Sequence, residues 1–183
     1  MVATKDKTFT SEEVKGIDFV DQKFVNCKFN TINFKFSCFI NCHFVNCDFS
    51  NATLDASSFE KCEFIESKIN WINFAGTSFI KCKFQKSMLE GCTFDKNKLV
   101  GNAFSGSNLA AAYFLRCDLC GVGLEGSDLQ RVVFDHSKLT GTNLSGADIS
   151  GTTFTDCKIS KTILDLDGFI QFGESKGFTI KTS

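Results

Sequence analysis

The sequence predicts a repeat solenoid, and two periodicities predict it. Every fifth residue from Phe9 to Phe169 is apolar, 33 positions without an interruption. Two residues before these positions the side chain is usually small, as at Cys27, Cys42, Cys47, Ala52, Ser57, Cys62, Ser67 and Thr77. A period of five matches neither the 3.6 residues of an α-helix nor the alternation of a flat strand. It reads as an internal repeat in which each unit buries one large residue (position i) and one small one (position i-2). With 183 residues and no linker, low-complexity block or charge run, one domain is expected.

Units such as Cys47-Asp48-Phe49-Ser50-Asn51 and Ala147-Asp148-Ile149-Ser150-Gly151 resemble the pentapeptide-repeat family consensus of a small residue, Asp/Asn, Leu/Phe, Ser/Thr and a variable residue. The resemblance covers residues 17–167. It implies an all-β fold, a right-handed quadrilateral parallel β-helix of about eight coils, in which four units complete a coil and i and i-2 point inward.

The first element, residues 1–16, is expected to cap the open strand edge. Thr10-Ser11-Glu12-Glu13 fits a capping box, with Phe9 and Val14 placed as a hydrophobic staple. The same two residues also fit the repeat. Met1 to Lys7 is polar and no apolar run approaches membrane-spanning length, so a soluble, cytoplasmic protein without membrane contact is expected.

In the second element, residues 17–167, residues twenty apart stack at the strand spacing of about 4.8 Å. Phe24, Phe44, Phe64, Phe84 and Phe104 form one column; Phe19, Phe39, Phe59 and Phe79 form another, continued by Leu99, Leu119 and Leu139. Trp71 and Tyr113 fall at outward positions, where their NH and OH reach water. Ten of the 14 glycines stand at i+2, the expected corners. The third element, residues 168–183, is expected to be a second cap: two turns of helix to Lys176, Gly177 as the residue just past the helix end, and Phe178 and Ile180 packing back.

The register filters the chemical motifs. Eight of the ten cysteines occupy i-2, where they act as small apolar filler. Cys117 and Cys120 have the spacing of a redox or zinc pair, but one points inward and the other outward. Gly121-Val122-Gly123-Leu124-Glu125-Gly126 matches a dinucleotide fingerprint yet lies mid-solenoid, where two of its glycines are corners. His43 and His136, the only histidines, stand on different faces more than four coils apart. No nucleophile, base and orienter converge, so neither an enzyme nor a cofactor, metal or small-molecule site is expected.

The outer faces offer two candidate surfaces. Val20, Ile40, Ile80 and Val100 form an apolar strip at i+1, beside Val25, Val45 and Ile65 on the next face; it is either a partner surface or apolar wall between polar rungs. Asp55, Asp95 and Asp135 recur every second coil, about 10 Å apart, with Asp156 on the same side. Charges also alternate along columns, as in His43, Glu63, Lys83 and in Lys98, Asp118, Lys138, which favours stacking by a few tenths of a kcal/mol per pair up to about one.

The tail, with Asp165-x-Asp167, a short apolar helix ending at Lys176-Gly177 and then Phe178-x-Ile180, is similar to the C-termini of the quinolone-resistance pentapeptide proteins, Qnr-type and mycobacterial. Phe59-Glu60-Lys61-Cys62-Glu63-Phe64-Ile65-Glu66-Ser67 also resembles a Qnr-type segment. The resemblance implies a homodimer joined through Phe169, Ile170, Phe172, Phe178 and Ile180, and a partner, DNA gyrase or topoisomerase IV, bound in place of DNA. Charge departs from that pattern. The net charge is -1, and 15 basic against 17 acidic residues over residues 17–167 give -2. Duplex DNA as long as the rod, about 40 Å, carries on the order of 24 negative charges. Mimicry is therefore confined to one face, such as that of Asp55, Asp95, Asp135 and Asp156. The near-neutral balance also argues against direct nucleic-acid binding. Two functions follow: a non-enzymatic topoisomerase modulator that counters quinolone-like inhibitors, and a general protein-interaction scaffold.

Overall fold

A left-handed residue every fifth position bends this chain into coils. In the computed structural model, which describes residues 2–179 and 181, every i+2 residue from Gly16 to Lys161 has φ between +48° and +81°. Such a conformation costs an L-residue about 1–2 kcal/mol and glycine almost nothing, which is why ten of these 30 corners are glycine.

Four corners return the chain over itself in register. The result is a right-handed parallel β-solenoid of about eight turns. One sheet stacks Val2–Lys5, Gln22–Val25, His43–Val45, Glu63–Ile65 and Lys83–Gln85; a second stacks Asp18–Val20, Cys38–Ile40, Ser58–Glu60 and Ser78–Ile80. A third, in the C-terminal half, stacks Thr93–Asp95, Tyr113–Leu115, Val133–Asp135 and Thr153–Thr155. Every pairing is parallel with a twenty-residue offset, such as Phe24 on Phe44 and Phe114 on Phe134. Because Val2–Lys5 pairs with Gln22–Val25, the register already holds ahead of Phe9 and Val14, which are both buried. Beside them, the Glu13 carboxylate accepts the Thr10 N–H (2.9 Å) and pairs with Lys7 (2.8 Å).

The core is a lattice of phenylalanine rings. Within a column they stack nearly parallel, as Phe84 on Phe104 (4.7 Å, 1°) and Phe94 on Phe114 (4.7 Å, 1°). Between columns they meet edge to face, as Phe39 with Phe44 (5.5 Å, 67°). Both are the arrangements that the ring quadrupole favours.

The small residue at i-2 does more than fill space. Its side chain donates to a core carbonyl 23 residues earlier: Ser67 Oγ to Phe44 O (3.1 Å), Ser107 Oγ to Phe84 O (2.8 Å) and Thr152 Oγ1 to Leu129 O (2.6 Å). Cysteine does the same through sulfur, as Cys82 Sγ to Phe59 O (3.2 Å). A buried carbonyl left without a donor costs about 1–3 kcal/mol. Ser107→Ala should therefore destabilise by about that much, and Ser107→Cys by less, in urea unfolding.

The last coils give way to a helix, Leu166–Ser175. Asp165 caps it by accepting the Gly168 N–H (2.8 Å), and its other oxygen accepts the Gly146 N–H at a coil corner (2.6 Å). These two N–H groups hold the Asp165 carboxyl below the usual carboxylate range. The helix thus starts two residues ahead of Gly168. At its end Gly177 (φ +83°) is left-handed, as the sequence predicts, and the Phe178 N–H returns to Gly173 O (3.0 Å).

Candidate interaction surfaces

The chemical side chains of this fold are dispersed by its own regularity. Cys117 is buried while Cys120 is half-buried on the outer side of the wall, so the pair does not converge. Among the described residues no group of three or more His, Cys, Asp or Glu side chains is placed to hold a metal. Nor is any helix there long and apolar enough to cross a membrane. Seven cysteines are buried, and Cys38, Cys120 and Cys157 are half-buried. Burial pushes the Cys47 and Cys92 thiols up to about 12 and Cys117 to about 11. Titration of the native protein with an aromatic disulfide reagent at pH 8 should therefore modify no cysteines beyond those three, and the others only on unfolding.

One carboxylate of the acidic row is paired with a permanent cation. Asp95 is held by Arg116 through Nε (3.0 Å) and Nη2 (2.6 Å). Asp135 is paired with His136 Nδ1 (2.9 Å), whose Nε2 lies 3.6 Å from Asp156. Asp55, exposed, has no basic side chain within salt-bridge distance among the described residues. The pairing of Asp95 follows an offset of 21, which joins an i+1 side chain to the corner of the next coil. That offset leads from Asp95 to Arg116, from Asp135 to Asp156, and from Asp55 to Gly76, which offers no side chain. Sequence reasoning missed Arg116 because it compared residues twenty apart. Of the charge ladders, Glu63 does bridge His43 (3.6 Å) and Lys83 (3.0 Å), and Asp118 pairs with Lys138 (3.6 Å).

On the apolar strip Val20, Ile80 and Val100 are between 43% and 48% exposed, while Ile40 is half-buried. Glu60 interrupts the strip between Ile40 and Ile80, so it is not continuous.

The three most exposed large apolar side chains among the described residues cluster at the C-terminal end. Leu166, Phe169 and Phe178 are 74%, 65% and 72% exposed and, with Ile170 and Phe172, line a groove of about 550 Å³. Behind it a smaller cavity of about 280 Å³ opens between the helix and the last coils, lined by Leu139, Leu144, Phe154, Ile159, Leu164 and Phe169. The candidate interface residues separate into two roles. Phe172 turns inward onto Phe154 (5.5 Å, 66°) and closes the core. Phe169 and Phe178 turn outward; the expectation that Phe178 packs back holds only for its backbone. Ile180 lies outside the described residues. A run of aliphatic and aromatic side chains this exposed is the kind of patch that marks interaction sites in proteins generally.

The sequence matches the family described as pentapeptide repeat region over residues 17–94 and 88–164. No curated protein matches it. Among solved structures, two trypsin-treated forms of QnrB1, a plasmid-mediated fluoroquinolone resistance protein, superpose with TM-scores of 0.74 and 0.69. They are 19% and 20% identical, and each alignment covers 98% of both chains. At that identity the likeness is one of fold.

Proposed function

Because this chain belongs to the pentapeptide-repeat family, we propose that it acts without catalysis, as a rod that binds a type II DNA topoisomerase, DNA gyrase or topoisomerase IV. Bound there as a partial DNA mimic, it modulates the enzyme and protects it from quinolone-like inhibitors. The observation that carries this reading is the apolar C-terminal face, set on a fold that matches a fluoroquinolone resistance protein along 98% of both chains. Covering that face with a second copy joins two rods end to end into one elongated body. The charge pattern narrows the mimicry. With Asp95 bound to Arg116, the acidic groups left to imitate phosphates are Asp55 and the Asp135–Asp156 pair around His136. Competition between this protein and a labelled DNA duplex for purified gyrase tests the reading. Displacement of the duplex at micromolar protein is expected; undiminished DNA binding contradicts it.

The second reading, an interaction scaffold for another protein, rests on the exposed strip of Val20, Ile80 and Val100. It is favoured if Ile80→Asp abolishes capture of a partner while gyrase competition is unchanged.

A further inference from the structure

The ladder that joins successive coils is interrupted over one stretch. In its usual form a core residue donates its N–H to the carbonyl 19 residues on, as Phe84 does to Ala103 (2.8 Å) and Leu99 to Asp118 (2.8 Å). The residue before the next core position donates back, as Ala103 does to Cys82 (3.0 Å). Between Ser78–Ile80 and Lys98–Val100 neither bond forms among the described residues, and the four-stranded sheet ends at Ser78–Ile80. The seam falls where the strands change walls, after Lys83–Gln85 and before Thr93–Asp95.

The side chain at position 97 occupies one of the two acceptors. In the same column Thr77 and Ser137 each use a short hydroxyl to reach the carbonyl 23 residues back, Thr77 to Leu54 O (3.0 Å) and Ser137 to Phe114 O (2.9 Å). Asn97 carries a longer carboxamide, and its Nδ2 donates both to Phe74 O (3.0 Å) and to Thr77 O (2.9 Å). Thr77 O is the acceptor that the Lys98 N–H takes in an unbroken ladder. The Asn97 Oδ1 is left buried without a partner, on a residue only 7% exposed. At the other end Asn102 takes no ladder acceptor: its Nδ2 donates to Phe79 O (3.1 Å) and Leu99 O (2.9 Å), its Oδ1 accepts the Cys82 N–H (2.7 Å), and the ladder bond from Ala103 to Cys82 stays formed. Two carboxamides bracket the opening, and two surface grooves, of about 510 and 350 Å³, run along it. A second gap, between Thr53 and Asn73 on the neighbouring wall, lacks the same two bonds but holds no orphaned side chain among the described residues.

The wall opposite the seam stays closed, with the Leu89 N–H on Asn108 O (2.7 Å) and the Asn108 N–H on Ser87 O (3.0 Å). The loss of bonding is one-sided. We propose that the seam between Ser78–Ile80 and Lys98–Val100 is the bending joint of the rod, held ajar by Asn97, about which the two halves hinge on the Leu89 wall. Unpaired backbone groups and grooves in place of ladder bonds mark the segment of lowest local stability, so curvature adopted on meeting a partner concentrates there.

Amide hydrogen exchange on the full chain tests this. The Phe79 and Lys98 amides should exchange at least about tenfold faster than those of Phe84 and Ala103. Asn97→Ser or Asn97→Thr frees Thr77 O, and either should slow Lys98 and Phe79 by about tenfold or more. Equal protection of the two pairs in the unaltered protein overturns the joint. Exchange at Lys98 that stays fast in both variants overturns the assignment to Asn97.

Discussion

Phe44→Ala should cost about 3–5 kcal/mol, the largest single loss of stability in the molecule. Its ring is fully buried, stacked between Phe24 (5.1 Å, 8°) and Phe64 (4.8 Å, 14°), and meets the edges of Phe39 and Phe49 at 5.5 and 5.1 Å. Its neighbours are held by ladders above and below, so they cannot collapse into the vacated volume, and the cavity penalty adds in full to the lost burial. Solenoid stability is transmitted between adjacent coils, so the loss should appear as a lower urea midpoint for the N-terminal half. A midpoint shift worth less than about 1.5 kcal/mol, the range of tolerated volume-conserving core swaps, would show the rings to be loosely seated.

Phe169→Asp should convert a dimer into a monomer. Phe169 lines both the C-terminal groove and the cavity beneath it, as Phe172 does, but unlike Phe172 it is largely exposed. A carboxylate there has no partner and must be desolvated when a second copy covers it, a cost of several kcal/mol that exceeds what most interface residues contribute. Light scattering coupled to size exclusion should read twice the mass of the 20.2 kDa chain for the unaltered protein and once that mass for the variant. Phe178→Asp, whose side chain stands clear of the core, should do the same without loosening the helix. A monomeric unaltered protein removes the end-to-end assembly from the account.

How far the sequence reaches can be read from particular residues. The five-residue count locates the core because every buried Phe and Leu from Phe24 to Phe154 sits on it, with Ile32 and Ile72 occupying small positions, and the same count places all left-handed corners at i+2. It carries one position too far. Phe169 satisfies the period yet lies on the helix, because an apolar residue serves a helix cap and a coil equally and periodicity alone does not separate them. Other features depend on offsets that the count does not sample. The pairing of Asp95 with Arg116 runs over 21 residues, and the hydroxyl and thiol bonds that make Ser, Thr and Cys preferable to Ala at i-2 run over 23. The carboxamides of Asn97 and Asn102 look like ordinary small-position residues in one dimension. The second donor bond of Asn97, into the ladder, follows from side-chain length, which only the stacked coils reveal.

The central claim is that this rod acts by occupying a type II topoisomerase. The most direct measurement is the supercoiling activity of purified DNA gyrase in the presence of a quinolone, with increasing amounts of the unaltered protein and of the Phe169→Asp variant. The account predicts that the dimer restores supercoiling, or inhibits it when the drug is omitted, at micromolar concentration, and that the variant does so only at much higher concentration. Supercoiling that is unaltered by the dimer, with drug and without, contradicts it.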